Sequence, residues 1–285
     1  MKLKITQRIA IGYYKTKIKT IGLLSKRKAA EKAFDLFCTP YSGKPKRKAP
    51  PIFKEAEELS FKLKNLTIRG WQWIPENGNN KKILIVHGFD SCSYKFDKYI
   101  KSLTLKGFTV LAFDGPAHGI SDGKTANALI LKETLITIEK LHGKLYGIMA
   151  HSYGALAASL AAEEIKSLQK LILIAPATET TTAINNFFTF LPLGEVIKNE
   201  MILYMQELGN KPVTHYSASR AIQQTKIPTL WLHDEEDWIC PYADVQPVQK
   251  LQLSHVQFYI TKGLGHSKIY RDTEVKKKII DFIVS

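Results

Sequence analysis

The chain has 285 residues, 45% of them apolar and 24% charged, which are the proportions of an ordinary globular protein and exclude a disordered or fibrous one. The net charge of +15 suggests nucleic acid until it is mapped: residues 1–54 hold 15 Lys/Arg against only Glu31 and Asp35, whereas residues 55–285 hold 26 Lys/Arg against 24 Asp/Glu. The excess belongs to the N-terminal segment alone, and nucleic-acid binding is not expected, because interleaved aromatics and a known nucleic-acid fold are both missing.

No apolar run approaches the roughly 20 residues that cross a bilayer. The basic N-terminus lacks a continuous apolar stretch and a cleavage site, so no secretory signal is expected. Cys38, Cys92 and Cys240 are odd in number and widely spaced, which argues against a disulfide framework and for a reducing, cytoplasmic setting. No Cys/His cluster has metal-ligand spacing, and no metal is expected.

In chain order, residues 1–38 read as one or two basic helices, with Ile5, Ile9, Tyr13, Ile18 and Ile21 at roughly helical spacing. They form a solvated or docking arm, or else rest peripherally on an anionic membrane surface. Residues 39–51 carry four prolines, one glycine and four bases, a linker composition. Within it Lys44-Pro45-Lys46-Arg47-Lys48 is a weak nuclear-localisation-like run. Residues 1–54 are therefore taken as an arm plus linker, and residues 55–285 as the main domain.

From Glu58 on, Leu59, Phe61, Leu63, Leu66, Ile68, Trp71 and Trp73 alternate with polar residues, as in an antiparallel strand pair. Strands are then expected at 83–86, 108–113, 145–149, 171–174, 229–232 and 256–260. Helices are expected at 94–105, 126–141, 155–164 and 272–284. Continuous apolar strands alternating with helices predict an α/β fold with a mostly parallel sheet covered on both faces. Functional loops in such a sheet lie at the C-terminal ends of its strands. Residues 178–226 break the rhythm and read as a small helical cap inserted over those ends.

The most telling stretch is Ala150-His151-Ser152-Tyr153-Gly154, where a strand runs into an alanine-rich helix. A serine between small residues at such a turn reads as a nucleophile elbow. The serine then stands at a helix N-terminus, where backbone N–H groups favour negative charge. Such a serine needs a base, and the base needs an orienting acid. The acid candidate is Asp237, in His233-Asp234-Glu235-Glu236-Asp237-Trp238-Ile239-Cys240-Pro241. The base candidate is His266, in Gly263-Leu264-Gly265-His266, after the strand at 256–260. Asp234 competes with Asp237.

These motifs, with His87-Gly88-Phe89 and Asp114-Gly115-Pro116-Ala117-His118-Gly119-Ile120-Ser121, resemble the α/β-hydrolase superfamily over residues 58–285. The resemblance implies the α/β-hydrolase fold and a serine hydrolase cleaving an ester or thioester of a small acyl substrate through an acyl-enzyme. It implies Ser152 as nucleophile, His266 as base and Asp237 as orienting acid, preferred over Asp234 on the spacing to Pro241. It also implies an oxyanion hole from the Phe89 and Tyr153 N–H groups, with no cofactor. Ala150, where the pattern has Gly, is a tolerated departure.

His87 and His118 are expected to hold loops, and Asp114 to pin its own turn. His151 either lines the pocket or packs beneath it, and Trp238 is a candidate pocket wall. The Phe-rich stretch including Phe187 and Phe188 is cap core or an acyl pocket. The same fold also hosts carbon–carbon hydrolases, lyases and perhydrolases, and an interaction protein using the basic arm is the remaining rival. Oligomeric state is left open.

Overall fold

The computed structural model describes residues 5–41 and 48–285, so residues 44–47 of the basic linker run lie outside the described residues. The described chain divides into two units. One comprises residues 5–39 and 179–215, the other residues 40–41, 48–178 and 216–285. No helix among the described residues is long and apolar enough to cross a membrane.

The chain opens with helices α1 (Ile5–Leu24) and α2 (Lys26–Phe37). It continues through β1 (Glu57–Leu63), β2 (Leu66–Trp73), β3 (Lys82–Val86), α3 (Asp97–Thr104), β4 (Thr109–Asp114) and α4 (Ala128–His142). Then come β5 (Gly147–His151), α5 (Tyr153–Ala162), β6 (Lys170–Ile174), α6 (Thr180–Phe190), α7 (Glu195–Gly209) and α8 (Ala218–Gln223). The last elements are β7 (Thr229–Asp234), α9 (Gln246–Lys250), β8 (Val256–Thr261), α10 (Gly265–Lys268) and α11 (Thr273–Val284).

The larger unit is built on one eight-stranded sheet in the order β1-β2-β4-β3-β5-β6-β7-β8. The expected hairpin is present, with Phe61 opposite Ile68 and Glu58 opposite Trp71. β2 joins β4 antiparallel, and all later pairings are parallel. This is the α/β-hydrolase architecture. Side chains alternate across the sheet, as strand geometry requires. Leu84, Val86, Ile148, Ala150, Leu171 and Leu173 face α4, α5 and α8. Ile83, Ile85, Met149, Ile172, Ile174, Leu230 and Leu232 face α3 and α11. Both faces are covered, which is why the central strands read as unbroken apolar runs.

The smaller unit consists of α1, α2, α6 and α7, with a short turn at Val213–His215. Ala29, Ala30 and Ala33 are wholly buried on α2, and this row of small side chains lets α2 lie close against α7. Met201, Ile197, Phe188 and Ile184 fill the same core. The Phe34 ring meets Tyr204 edge-on at 5.4 Å, and Phe37 meets Phe187 at 5.3 Å. On α1, a Cβ at Gly22 would lie 3.3 Å from Ile197 Cδ1, so the glycine permits the close approach to α7.

The sequence sets residues 1–54 apart as an arm and residues 178–226 apart as a cap; the structure groups them differently. The two N-terminal helices share one core with residues 179–215. Residues 48–54 go with the sheet, where Phe53 is buried edge-on to Trp71 and Trp73, each at 5.0 Å, and Trp73 Nε1 donates to the Ile52 carbonyl. Residues 216–226 also go with the sheet, because Ala218, Ala221 and Ile222 of α8 pack into the core that contains the alanine-rich α5.

Candidate active site

The site is built at the C-terminal ends of β3, β4, β5, β7 and β8. Ser152 joins β5 to α5 with φ +55° and ψ −123°. A non-glycine residue in that region is strained, and the surroundings must hold it there. They do so through the backbone. Ser152 N–H donates to the Ile174 carbonyl at 2.9 Å, and the Ser152 carbonyl accepts from Ala155, Leu156 and Ala177. A Cβ at Gly154 would come within 2.2 Å of the His87 carbonyl oxygen, so that position must be glycine. Ala150 is buried with room for its methyl, which explains the departure from Gly at that position.

Ser152 Oγ donates to His266 Nε2 at 2.8 Å, and His266 Nδ1 donates to Asp237 Oδ2 at 2.7 Å. The other Asp237 oxygen, Oδ1, accepts from the Ile239 and Cys240 N–H groups, each at 2.9 Å. Ser152, Asp237 and His266 are all buried. A hydroxyl that donates to an imidazole oriented by a carboxylate is the arrangement that makes a serine nucleophilic.

Asp234 does different work from Asp237. Its Oδ1 accepts from Glu236 N–H, while Oδ2 accepts from Leu264 N–H at 3.0 Å and from Thr261 Oγ at 2.7 Å. This wholly buried carboxylate staples the end of β7 to the loop that carries His266. The spacing that favours Asp237 as the acid agrees with this geometry; the staple itself is not visible in the motif. His233 Nε2 donates to the Cys240 carbonyl at 2.8 Å, bracing the Asp237 loop from below.

On the other side of Ser152, the loop after β3 passes so close that a Cβ at Gly88 would lie 2.8 Å from His151 Nδ1 and 3.0 Å from Ser152 Cβ. The next residue is Phe89, whose ring meets Tyr153 edge-on at 5.5 Å and His118 at 5.3 Å. This loop is held by two buried histidines. His87 Nδ1 donates to the Gly88 carbonyl, and its Nε2 accepts from Gly115 N–H. His118 Nδ1 donates to the Pro116 carbonyl, and its Nε2 accepts from Asp90 N–H. Each ring uses one nitrogen as donor and one as acceptor, which is the neutral form. Burial pushes both down to about 4.

Asp114, wholly buried, accepts from Ser93 N–H and Oγ–H and from Ile120 N–H. Desolvation raises its pKa. A Cβ at Gly119 would fall 1.8 Å from Asp114 Oδ2, so the carboxylate fills the space that glycine leaves. Asp114 thus ties its own turn to the segment after the β3 loop.

The expected substrate contacts fare unequally. His151 is buried, donates from Nε2 to the His266 carbonyl at 3.0 Å, and its ring lies tilted between those of His266 and Tyr270, with centroids 4.8 and 4.7 Å away. Burial, then the neighbouring His266, push it down to about 3. Of its two expected roles it takes packing beneath the base, not lining. Trp238 is 71% exposed, so its ring forms no packed wall; the Asp237 turn points it outward. Phe188 is buried in the core of the smaller unit, and Phe187 packs on Phe37 and Phe188. Both rings pack in that unit's core.

Cys240 was not singled out by sequence. Its buried thiol is pushed well up by desolvation, while a contact with the Ser152 side chain acts the other way. Among the described residues no group of His, Cys, Asp or Glu side chains could hold a metal ion.

Comparison with known proteins agrees with the fold. The family profile described as serine aminopeptidase, S33 (Hydrolase_4), matches residues 78–221, half of the chain. A serine hydrolase-like protein of Dictyostelium discoideum is 29% identical over 127 residues, 42% of this chain; the match spans 35% of that relative's length, so the chain corresponds to about a third of it. Among solved structures, the Pyrococcus furiosus esterase Pf2001 aligns with a TM-score of 0.64 at 21% identity, covering 85% of this chain and 95% of that one. A predicted CIB-like hydrolase from Thermoplasma acidophilum aligns at 0.60 with 16% identity, covering 80% and 98%. At these identities the structural likeness shows the fold alone. By the profile match, the chain belongs to the Hydrolase_4 (serine aminopeptidase, S33) family of α/β hydrolases.

Proposed function

We propose that the protein is a serine hydrolase that cleaves a carboxylic ester or thioester through an acyl-enzyme. The observation that carries this reading is the continuous hydrogen-bonded chain from Ser152 Oγ through His266 to Asp237, with links of 2.8 and 2.7 Å. Ser152 Oγ attacks the acyl carbonyl carbon as His266 Nε2 takes its proton. Asp237 keeps the Nδ1–H tautomer and stabilises the imidazolium. The tetrahedral oxyanion is met by the backbone N–H groups of Phe89 and Tyr153. Tyr153 opens α5, so its N–H lies among the first four of a helix, which have no partner within it. Phe89 follows the glycine that lies against Ser152. Each such donor typically supplies about 3 kcal/mol in the transition state.

The imidazolium then protonates the leaving oxygen or sulfur, and water enters. His266 removes a proton from that water as it attacks the acyl carbon, then returns the proton to Ser152 Oγ as the acyl–Oγ bond breaks and the acid departs. Serine-hydrolase chemistry is favoured by the curated relative's serine hydrolase-like name, and an ester as the bond by the esterase among the structural neighbours.

Hydrolysis of a p-nitrophenyl ester tests the proposal. The expected result is turnover by the native protein and a loss of at least about 10⁴-fold in kcat for Ser152→Ala, with the fold intact by circular dichroism. Undiminished turnover in that variant would overturn it.

A further inference from the structure

We propose that the outer face of α1 is a docking surface for an anionic lipid bilayer. The helix has two unlike sides. Its inward side carries Ile18 and Gly22, both buried, with Ile11 and Ile21 half-buried against the helical core. At about 100° per residue, Ile9, Tyr13, Leu23 and Leu24 fall on the opposite side. They are 66, 58, 82 and 91% exposed. The sequence reads Ile9, Tyr13, Ile18 and Ile21 as one stripe; the structure divides them into a core-facing and an outward-facing set.

Scattered exposed apolar residues are ordinary, but a row of them along one helix marks a surface that is covered in use. Between Arg8 and Lys17 no side chain is buried, so little packing within the chain supports this part of the helix. Short helical stretches without packing are marginal in water, and a surface that takes the outer face would stabilise it.

The charge says what that surface is. Residues 1–30 hold nine Lys/Arg and no acid. Arg8, Lys15 and Lys19 border the apolar row on one side and Lys17 on the other, with Lys17 Nζ 5.5 Å from the Tyr13 ring centroid. Lysines on both edges of an apolar row can extend their stems sideways and upward, keeping their ammonium groups in a plane of phosphates. A straight helix about 30 Å long presents this row as a convex ridge, which suits a flat, deformable surface. On a nucleic acid the four apolar side chains would stay in water, so an RNA or DNA partner leaves half of the pattern unused.

The proposal is independent of the reaction at Ser152, and vesicle flotation of the full chain tests it. The expected result is flotation with vesicles of phosphatidylcholine containing about one third phosphatidylserine, none with phosphatidylcholine alone, and release at high salt. Tyr13→Asp/Leu23→Asp should weaken binding at least about tenfold. Neutralising Lys15 and Lys19 as Gln should weaken it about fivefold per charge. Neither variant should change the circular dichroism spectrum or p-nitrophenyl ester turnover. No flotation, equal flotation with uncharged vesicles, or full binding by the Asp variant would overturn the proposal. So would a dimer in sedimentation equilibrium that Tyr13→Asp/Leu23→Asp dissociates, since the face would then belong to a second copy.

Discussion

The loops around Ser152 and the four-helix unit are held together by opposite means. Around Ser152 the binding is polar, and the carboxylates and imidazoles that provide it are buried. Asp114, Asp234 and Asp237 each accept two or more hydrogen bonds, and His87, His118 and His151 each hold a loop carbonyl. In the helical unit the core is alanine, phenylalanine, isoleucine and methionine, and the polar contacts are exposed or half-exposed. Arg27 there pairs with Glu31, Glu200 and Glu207, and its guanidinium lies 4.6 Å from the Tyr204 ring centroid. Buried polar networks fix geometry because each member is costly to leave unpaired. Apolar cores fix proximity with less angular demand. The contrast teaches that precision is concentrated where a proton must move, and it can be broken by substitution on either side.

The largest effect is expected at Asp237. Asp237→Asn keeps the shape but can offer its NH₂ to His266 Nδ1 and favour the wrong tautomer, so kcat for ester turnover should fall by about 10³–10⁴-fold. Stability should change far less. Asp234→Ala leaves three partly buried donors, the Glu236 and Leu264 N–H groups and the Thr261 hydroxyl, without their acceptor and frees the loop that carries His266. It should cost about 2–4 kcal/mol in denaturant unfolding and lower kcat more than it raises KM. An unchanged kcat would separate the staple from the base.

Acid comes next. His87 and His118 lie at about 4 and His151 at about 3, below the ordinary value of 6.5. The unfolded chain therefore binds more protons between these limits, and stability rises with pH there. The contribution is fully present above pH 6.5 and is lost as pH falls toward about 4, by several kcal/mol in all. Asp114, raised by burial, acts against this loss. Thermal melts from pH 7 to pH 4 should show the steep decline; a flat profile would mean that the buried histidines are not held neutral. The smallest effect is expected from Arg27→Ala in the helical unit, where partly exposed ion pairs contribute little. Its Tm should match that of the native chain within the resolution of a melt, and a large drop would make the two regions more alike than the contrast allows.

What could be read in advance follows the same division. The strands, the elbow at 150–154 and the acid and base loops were legible, because each is a local pattern: an apolar run, a tight turn, a fixed spacing. The partnership of residues 5–39 with 179–215 was not, because nothing in Ala29, Ala30 and Ala33 names a helix some 170 residues away in sequence. The same gap left Phe187 and Phe188 open between core and pocket. Their aromatic character suits a pocket as well as a core, and only the neighbours Phe37 and Met201 decide. Asp234 was legible as a candidate acid but not as a staple, because Thr261 and Leu264 lie on another loop. The exposure of Trp238 was not legible, because its direction depends on the turn that Asp237 makes with its own backbone.

The central claim is that His266 and Asp237 make Ser152 a nucleophile, and a fluorophosphonate adduct mapped by peptide mass spectrometry tests it most directly. The account predicts one adduct, on the peptide containing Ser152, absent from Ser152→Ala and greatly slowed in His266→Ala. An adduct on another residue, or labelling at Ser152 that is indifferent to the loss of His266, would contradict it.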